Sequence, residues 1–242
     1  MPPPESFIQH LRDFGYHPRS NKHSNALCAA IVDDVLEACP EMARDARQGR
    51  LVYDLNMRLR VQTVDWNVDL VMGTPPRPVD TNGQTIVKST PATVRLAIEV
   101  KGVITEHRKA VKNRKRDFEA HHDHVHNYNA RTIAGGVLVV NASLNFISPL
   151  RTAPTVHGTR QAVARVVEHC VNEMRNVTQS RADSPYGIDA KAAIVVDFDN
   201  VNLDAARYVS QAPAPQPGDP LHYDSFIQKL CDEYRGRFRA TA

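Results

Sequence analysis

The chain has 242 residues, of which 42% are hydrophobic, so it can bury the core of one domain with or without short extensions. Its formal net charge of +3 permits binding to nucleic acid without requiring it, and no apolar stretch approaches the roughly 20 residues that span a bilayer. The four cysteines, Cys28, Cys39, Cys170 and Cys231, form no C-x-x-C pair, which argues against a zinc ribbon or a disulfide scaffold. Because no signal peptide is visible either, we expect a cytoplasmic protein with no membrane partner.

The first part of the chain predicts two helices followed by a β-hairpin. Residues 5–14 have the pattern of a short amphipathic helix, and Ser24–Cys39 predicts a longer one that Ser24 caps and Pro40 ends. Leu51–Val61 alternates apolar and polar residues, which predicts a half-buried strand paired with Val64–Met72.

The remainder predicts a mixed α/β sheet flanked by helices. The predicted elements, in chain order, are a loop or small flap at Gly73–Ala92, a strand at Thr93–Lys101, a basic helix from about Thr105 to Tyr128, a buried strand at Val137–Val140, a helix at Arg160–Val177, a buried strand at Ala192–Val196, a proline-rich linker at Gln211–Pro220 and a last helix at Tyr223–Phe238. The three consecutive strands should be mostly antiparallel, and the later strand–helix–strand crossover should be parallel.

Two of these strands carry acids on one face. In Thr93–Lys101, alternation groups Val94, Leu96, Ile98 and Val100 on one side, and Arg95, Ala97, Glu99 and Lys101 on the other. In Val64–Met72, Asp65, Asn67 and Asp69 share a face. If the strands are neighbours, Asp69, Glu99 and Lys101 converge, and two carboxylates with a lysine could hold Mg²⁺ and steer a water.

An aspartate on one strand followed by Glu-x-Lys on the next resembles the PD-(D/E)xK nuclease superfamily. The matching residues are Asp69 in N-V-D-L-V and Glu99-Val100-Lys101 in A-I-E-V-K-G. The resemblance implies a restriction-endonuclease-like fold with an α-β-β-β-α-β-α-β core. It spans residues 24–200, which leaves an N-terminal extension at 1–23 and a linker with a C-terminal helix at 201–242.

The resemblance also implies an activity and a set of roles. We expect a Mg²⁺-dependent endonuclease that cuts double-stranded DNA, with a type II restriction enzyme as the leading interpretation. Asp69, Glu99 and the main-chain carbonyl of Val100 would bind the metal, and Lys101 would orient or activate the water. Cutting both strands of a duplex favours a homodimer. The alternatives are a repair or recombination nuclease on the same core, and a nucleic-acid-binding module that does not cut.

Other interpretations of the acids stay open. Asp65 competes with Asp69 for the upstream role, and relatives of this fold often take a further acid from the first helix, for which Asp34 is the best candidate. Lys101 could instead form an ordinary surface salt bridge with Glu99 or Asp69 on a solvated sheet face. The acids Asp197 and Asp199 resemble the metal site of PIN-like and NYN ribonucleases, but a turn that closes the strand is the simpler interpretation.

The helix after Glu-x-Lys is strongly basic and ends in a histidine cluster. Its predicted DNA contacts are Arg108, Lys109, Lys112, Lys115 and Arg116, against the alternative of a solvated charged face. His121–His126 contains His122 and His126 at a spacing that could share a metal, although no cysteine or fixed acid accompanies them.

Overall fold

The computed structural model of the chain describes residues 1–61, 63–151, 153–180 and 186–238. The helices in these ranges are α1 (Glu5–Phe14), α2 (Lys22–Ala38), α3 (Pro40–Arg47), α4 (His107–Tyr128), α5 (Arg160–Arg175) and α6 (Tyr223–Phe238). The strands are β1 (Val52–Val61), β2 (Val64–Thr74), β3 (Val87–Lys88), β4 (Thr93–Val103), β5 (Ile133–Asn141), β6 (Asn145–Phe146), β7 (Thr155–Val156), β8 (Ala190–Asp197) and β9 (Arg207–Tyr208).

The central sheet has the order β3-β1-β2-β4-β5-β8-β9. β1, β2 and β4 pair antiparallel, whereas β4, β5 and β8 pair parallel through crossovers that contain α4 and α5. This confirms the predicted mixed α/β sheet and the change from antiparallel to parallel pairing.

Helices cover both faces of the sheet. α1, α2, α3 and α6 pack on what we call the first face, and α4 and α5 pack on the second face. Every residue of β5 is buried, as its continuous apolar run predicted for a parallel strand. A side chain at Gly136 would meet Ile188 Cδ1 at 2.6 Å and the Phe118 ring at 2.8 Å, so the small residue lets α4 approach the strand.

Several short elements were not predicted. Pro40 does not only end α2; it opens α3, because its fixed φ suits the first turn of a helix. Within the predicted loop Gly73–Ala92, β3 adds a two-residue edge to β1. The β6–β7 pair lies outside the main sheet.

The predicted alternation of β4 is wrong at its beginning. The β2–β4 register shifts between Met72 and Gly73, as in a β-bulge. Val94 therefore packs on the second face, while Leu96 packs on the first. Arg95 bonds to Asp45 and Tyr234 rather than joining the polar group.

Helices α1 and α6 both pack onto the first face. Phe7 of α1 and Phe226 of α6 belong to the same buried cluster as the sheet residues there. Cys39 and Cys231 form a disulfide, which the sequence argument against a disulfide scaffold did not anticipate, because residues 192 positions apart carry no local signal of their contact. None of the described helices is long and apolar enough to cross a membrane.

Candidate active site

The candidate site forms where β2 and β4 part. Their ladder ends at Leu70 and Ile98, so the next main-chain N–H of β4 that faces β2 has no strand partner. Asp69 supplies one: its Oδ2 accepts a hydrogen bond from Val100 N–H at 2.8 Å. Because the N–H and C=O of a strand residue point to the same side, the Val100 carbonyl faces the same gap.

Glu99 and Lys101 lie beside this gap on the second face. Lys101 Nζ contacts Glu99 Oε1, so the salt bridge considered from the sequence does form. The face is not solvated, however, because Glu99 is only 7% exposed. Its other oxygen, Oε2, is buried and has no hydrogen-bond partner in the described part of the chain. The structure therefore brings together Asp69, Glu99, Val100 and Lys101.

The charges of the three ionisable groups are coupled. Burial, with a contribution from Asp69 and against the opposing effect of Lys101, raises the pKa of Glu99 to about 7. Burial also raises the pKa of Asp69, against the opposing effects of Lys101 and the Val100 N–H. Burial lowers the pKa of Lys101, but the two carboxylates outweigh it, so the net pKa lies above its usual value. One ammonium thus faces two carboxylates, and the group lacks positive charge.

His121 of α4 lies under Glu99, which the sequence did not predict. Its Nε2 lies 3.2 Å from the Ala97 carbonyl, and its Nδ1 lies 3.9 Å from Glu99 Oε2. Burial lowers the pKa of His121 to about 3, so the ring is neutral and Nε2 carries the proton that Ala97 accepts. The lone pair of Nδ1 then faces the unpartnered Glu99 oxygen, so these two acceptors need a proton, a hydrogen-bond donor or a cation between them. Trp66 packs edge-on against the imidazole, with ring centroids 5.0 Å apart.

The alternative acids lie elsewhere. Asp65 pairs with Arg58 near the end of the β1–β2 hairpin. Asp34 accepts a hydrogen bond of 2.6 Å from the Tyr223 hydroxyl, between α2 and α6, and burial raises its pKa. Neither carboxylate contacts Asp69, Glu99 or Lys101 in the described residues. From α2, Asn25 rather than an acid contacts this part of the sheet. Its Oδ1 accepts a hydrogen bond of 2.8 Å from the side-chain amide of Asn56 on β1, the strand that pairs with β2.

The basic residues of α4 divide into two groups. Arg114 bonds to Asp117 at 2.7 Å, and Lys115 lies 3.8 Å from Glu173 of α5. The other four project from the exposed surface, and none has an ion pair among the described residues: Arg108, Lys109, Lys112 and Arg116. Of the predicted DNA contacts, Lys115 is thus the one that is already partly neutralised.

The remaining candidate sites gain little support. His122 and His126 have ring centroids 6.5 Å apart, and His126 Nε2 contacts the Gly187 carbonyl at 3.0 Å. Across the described ranges, the sole close group of three potential metal-binding side chains is Cys39, Glu41 and Cys231, whose cysteines are bonded to each other. Asp199 accepts main-chain hydrogen bonds after β8, as a turn requires.

Comparison with models of protein families, with curated proteins and with solved structures gives no match.

Proposed function

We propose that this protein is a cytoplasmic Mg²⁺-dependent endonuclease that hydrolyses phosphodiester bonds of double-stranded DNA, on a PD-(D/E)xK core. One observation carries the proposal: Asp69, Glu99 and Lys101 meet where β2 and β4 part, with Asp69 bonded to the amide of Val100. Those are the residues that the motif named from sequence.

The donor set fits a hard divalent cation. Mg²⁺ prefers carboxylate and other oxygen ligands, which Asp69, Glu99 and the Val100 carbonyl would supply. The unpartnered Glu99 oxygen and the shortage of positive charge support the same assignment. When bound there, Mg²⁺ would supply an activated water and neutralise charge at the phosphate.

The protein's own residues have distinct roles in this proposal. Lys101 keeps its proton, because both carboxylates raise its pKa, and its ammonium can therefore donate hydrogen bonds to the attacking water or to a phosphate oxygen. Glu99 must lose its proton to act as a ligand. His121 and Trp66 close the space behind Glu99 and exclude bulk water from that side.

The first experiment asks whether the protein cuts DNA. Methylated and unmethylated plasmids are incubated with the protein and Mg²⁺. Discrete bands from one plasmid support a restriction enzyme, and a smear from both supports a repair or recombination nuclease. Intact DNA that is nevertheless retarded in a gel indicates a binding module and contradicts the proposed hydrolysis.

The second experiment tests the residues. Glu99→Ala or Lys101→Ala should each lower the cleavage rate by about 10²-fold or more, since metal ligation and water activation are each worth several kcal/mol. Circular dichroism checks that the variants fold. Cleavage at the wild-type rate by either folded variant would refute the site. A stoichiometry of two chains per duplex would support the homodimer.

A further inference from the structure

Helices α4 and α5 flank an open groove in which every lining side chain is basic. We call it the basic groove; its volume is about 680 Å³, and its lining residues are Arg108, Lys109, Lys112, Arg165 and His169. α4 provides one wall and α5 provides the other. The sequence identified only the α4 wall, because nothing local shows that α5 will lie beside it.

The cations of the basic groove are only partly neutralised by the protein: Glu106, which pairs with Arg151, also interacts electrostatically with Lys109. Arg114 and Lys115, which follow on α4, pair with Asp117 and Glu173. In contrast, Arg108, Lys109, Lys112 and Arg165 have no ion pair within the described ranges. Glu168, the neighbouring acid on α5, is not among the lining residues.

This arrangement is unfavourable for the protein alone. Arg108 and Lys112 lie one turn apart on α4, and like charges at this spacing destabilise a helix. Packing the two helices side by side adds repulsion between the walls. The charge of the groove therefore favours an anionic occupant that touches both walls.

We propose that the basic groove binds the phosphate backbone of a nucleic acid, with Arg165 and His169 of α5 opposite Arg108, Lys109 and Lys112 of α4. The regularly spaced negative phosphates of a nucleic-acid strand are complementary to a row of basic side chains. One strand of a duplex carries a charge about every 3.4 Å along the axis, so the turn between Arg108 and Lys112, a rise of about 6 Å, faces about two phosphates.

The basic groove is separate from the residues proposed to cut. α4 turns Asp117 and His121 towards Glu99, whereas Arg108 and Lys112 line its surface next to α5. Phosphates in the groove would hold the substrate without contacting the reacting bond. The identity of the bound polymer as substrate depends on the proposed nuclease function; the binding itself does not.

The test removes one cation from each wall. Binding of a fluorescein-labelled DNA duplex to the Arg108→Ala/Arg165→Ala variant is measured by anisotropy in EDTA over a range of salt concentrations. Two lost phosphate contacts should reduce the slope of log K against log salt by about two. The control is Arg44→Ala/Arg47→Ala, which removes the same charge from the exposed surface of α3 and should leave the slope unchanged.

The outcomes separate the two proposals. If the slope of log K against log salt is the same for the groove variant and the wild type, the proposed binding in the groove is wrong, whatever the plasmid assay shows. If the α3 control loses as much of the salt slope as the groove variant, the proposal is also wrong, because the effect would then come from net charge alone. If polyglutamate binds through these residues and DNA does not, the occupant is an acidic polypeptide and the proposal is wrong. Normal binding with no cleavage would refute the nuclease and leave the groove intact.

Discussion

Replacing Glu99 by Gln should stabilise the protein above neutral pH. The side chain keeps its shape and loses its charge, and the charge is what burial opposes. The pKa of Glu99 is raised from 4.5 to about 7, chiefly by burial. Between these pH values the folded protein holds a proton that the unfolded chain has released. The contribution of Glu99 to stability therefore falls as the pH rises through this window and is constant above it.

The size of the effect follows from the two pKa values. At about 1.4 kcal/mol per pH unit, the difference corresponds to roughly 3 kcal/mol of destabilisation by the ionised carboxylate. The assay is urea unfolding of both proteins in EDTA at about pH 5 and about pH 8, with the variant compared to the wild type at each. Burial lowers the pKa of His121 to about 3 and that of His23 to about 4, so both residues give the opposite pH dependence in acid. Both histidines are present in both proteins, so their contributions cancel in the difference in stability between the variant and the wild type.

Magnesium provides the second arm of the experiment. At a concentration about 100 times its dissociation constant, a ligand that binds only the folded state adds about 2.7 kcal/mol. Mg²⁺ should therefore stabilise the wild type at about pH 8 and leave Glu99→Gln nearly unchanged. A variant that is no more stable than the wild type at this pH would refute the electrostatic reasoning. Equal stabilisation of both proteins by Mg²⁺ would refute the metal assignment.

Three further changes test the geometry. Asp69→Asn should abolish Mg²⁺-dependent cleavage, whereas Asp65→Asn, a matched change at a residue paired with Arg58, should reduce it modestly; a larger loss from Asp65→Asn would move the site along β2. Asp34→Asn should leave the cleavage rate unchanged, since this carboxylate bonds to Tyr223, and a loss of about 10²-fold would restore it as a metal ligand. Gly136→Ala should cost about 1–3 kcal/mol in urea unfolding by overpacking, while Gly236→Ala on the open side of α6 should cost nothing.

The sequence predicted the sheet well because its signals are local. The structure confirms the β1–β2 pairing and the buried run of β5, each of which has a local signal. The single-face alternation predicted for β1 and β2 is wrong, because both strands change faces midway: Leu55 and Leu70 pack on the first face, whereas Met57 and Val68 pack on the second. Glu99 and Lys101 are placed correctly on one side because they follow the bulge in β4. Arg95 is not, because the bulge depends on Gly73 of the neighbouring strand: a Cβ there would meet the Thr93 carbonyl at 2.1 Å.

What could not be predicted depends on contacts between distant segments. His121 was one histidine in a cluster, and only the packing of α4 on β4 distinguishes it from His122 or His126. Its position one helical turn after the buried Phe118 is a signal that could have been used. Arg165 lies among ordinary α5 residues until α4 is placed next to it.

The simplest alternative to a nuclease is that Glu99 and Lys101 form an ordinary salt bridge, and the pair does form. An ordinary pair, however, lies in water and costs little. Here Glu99 is 7% exposed, its second oxygen lacks a described partner, and Asp69 adds a second carboxylate to one ammonium. Burying unbalanced charge in this way opposes folding, and a well-packed apolar set would be more stable. A positive ligand at the two carboxylates would reverse that penalty, which is why burial, rather than the Glu-x-Lys pattern alone, supports a metal-dependent function.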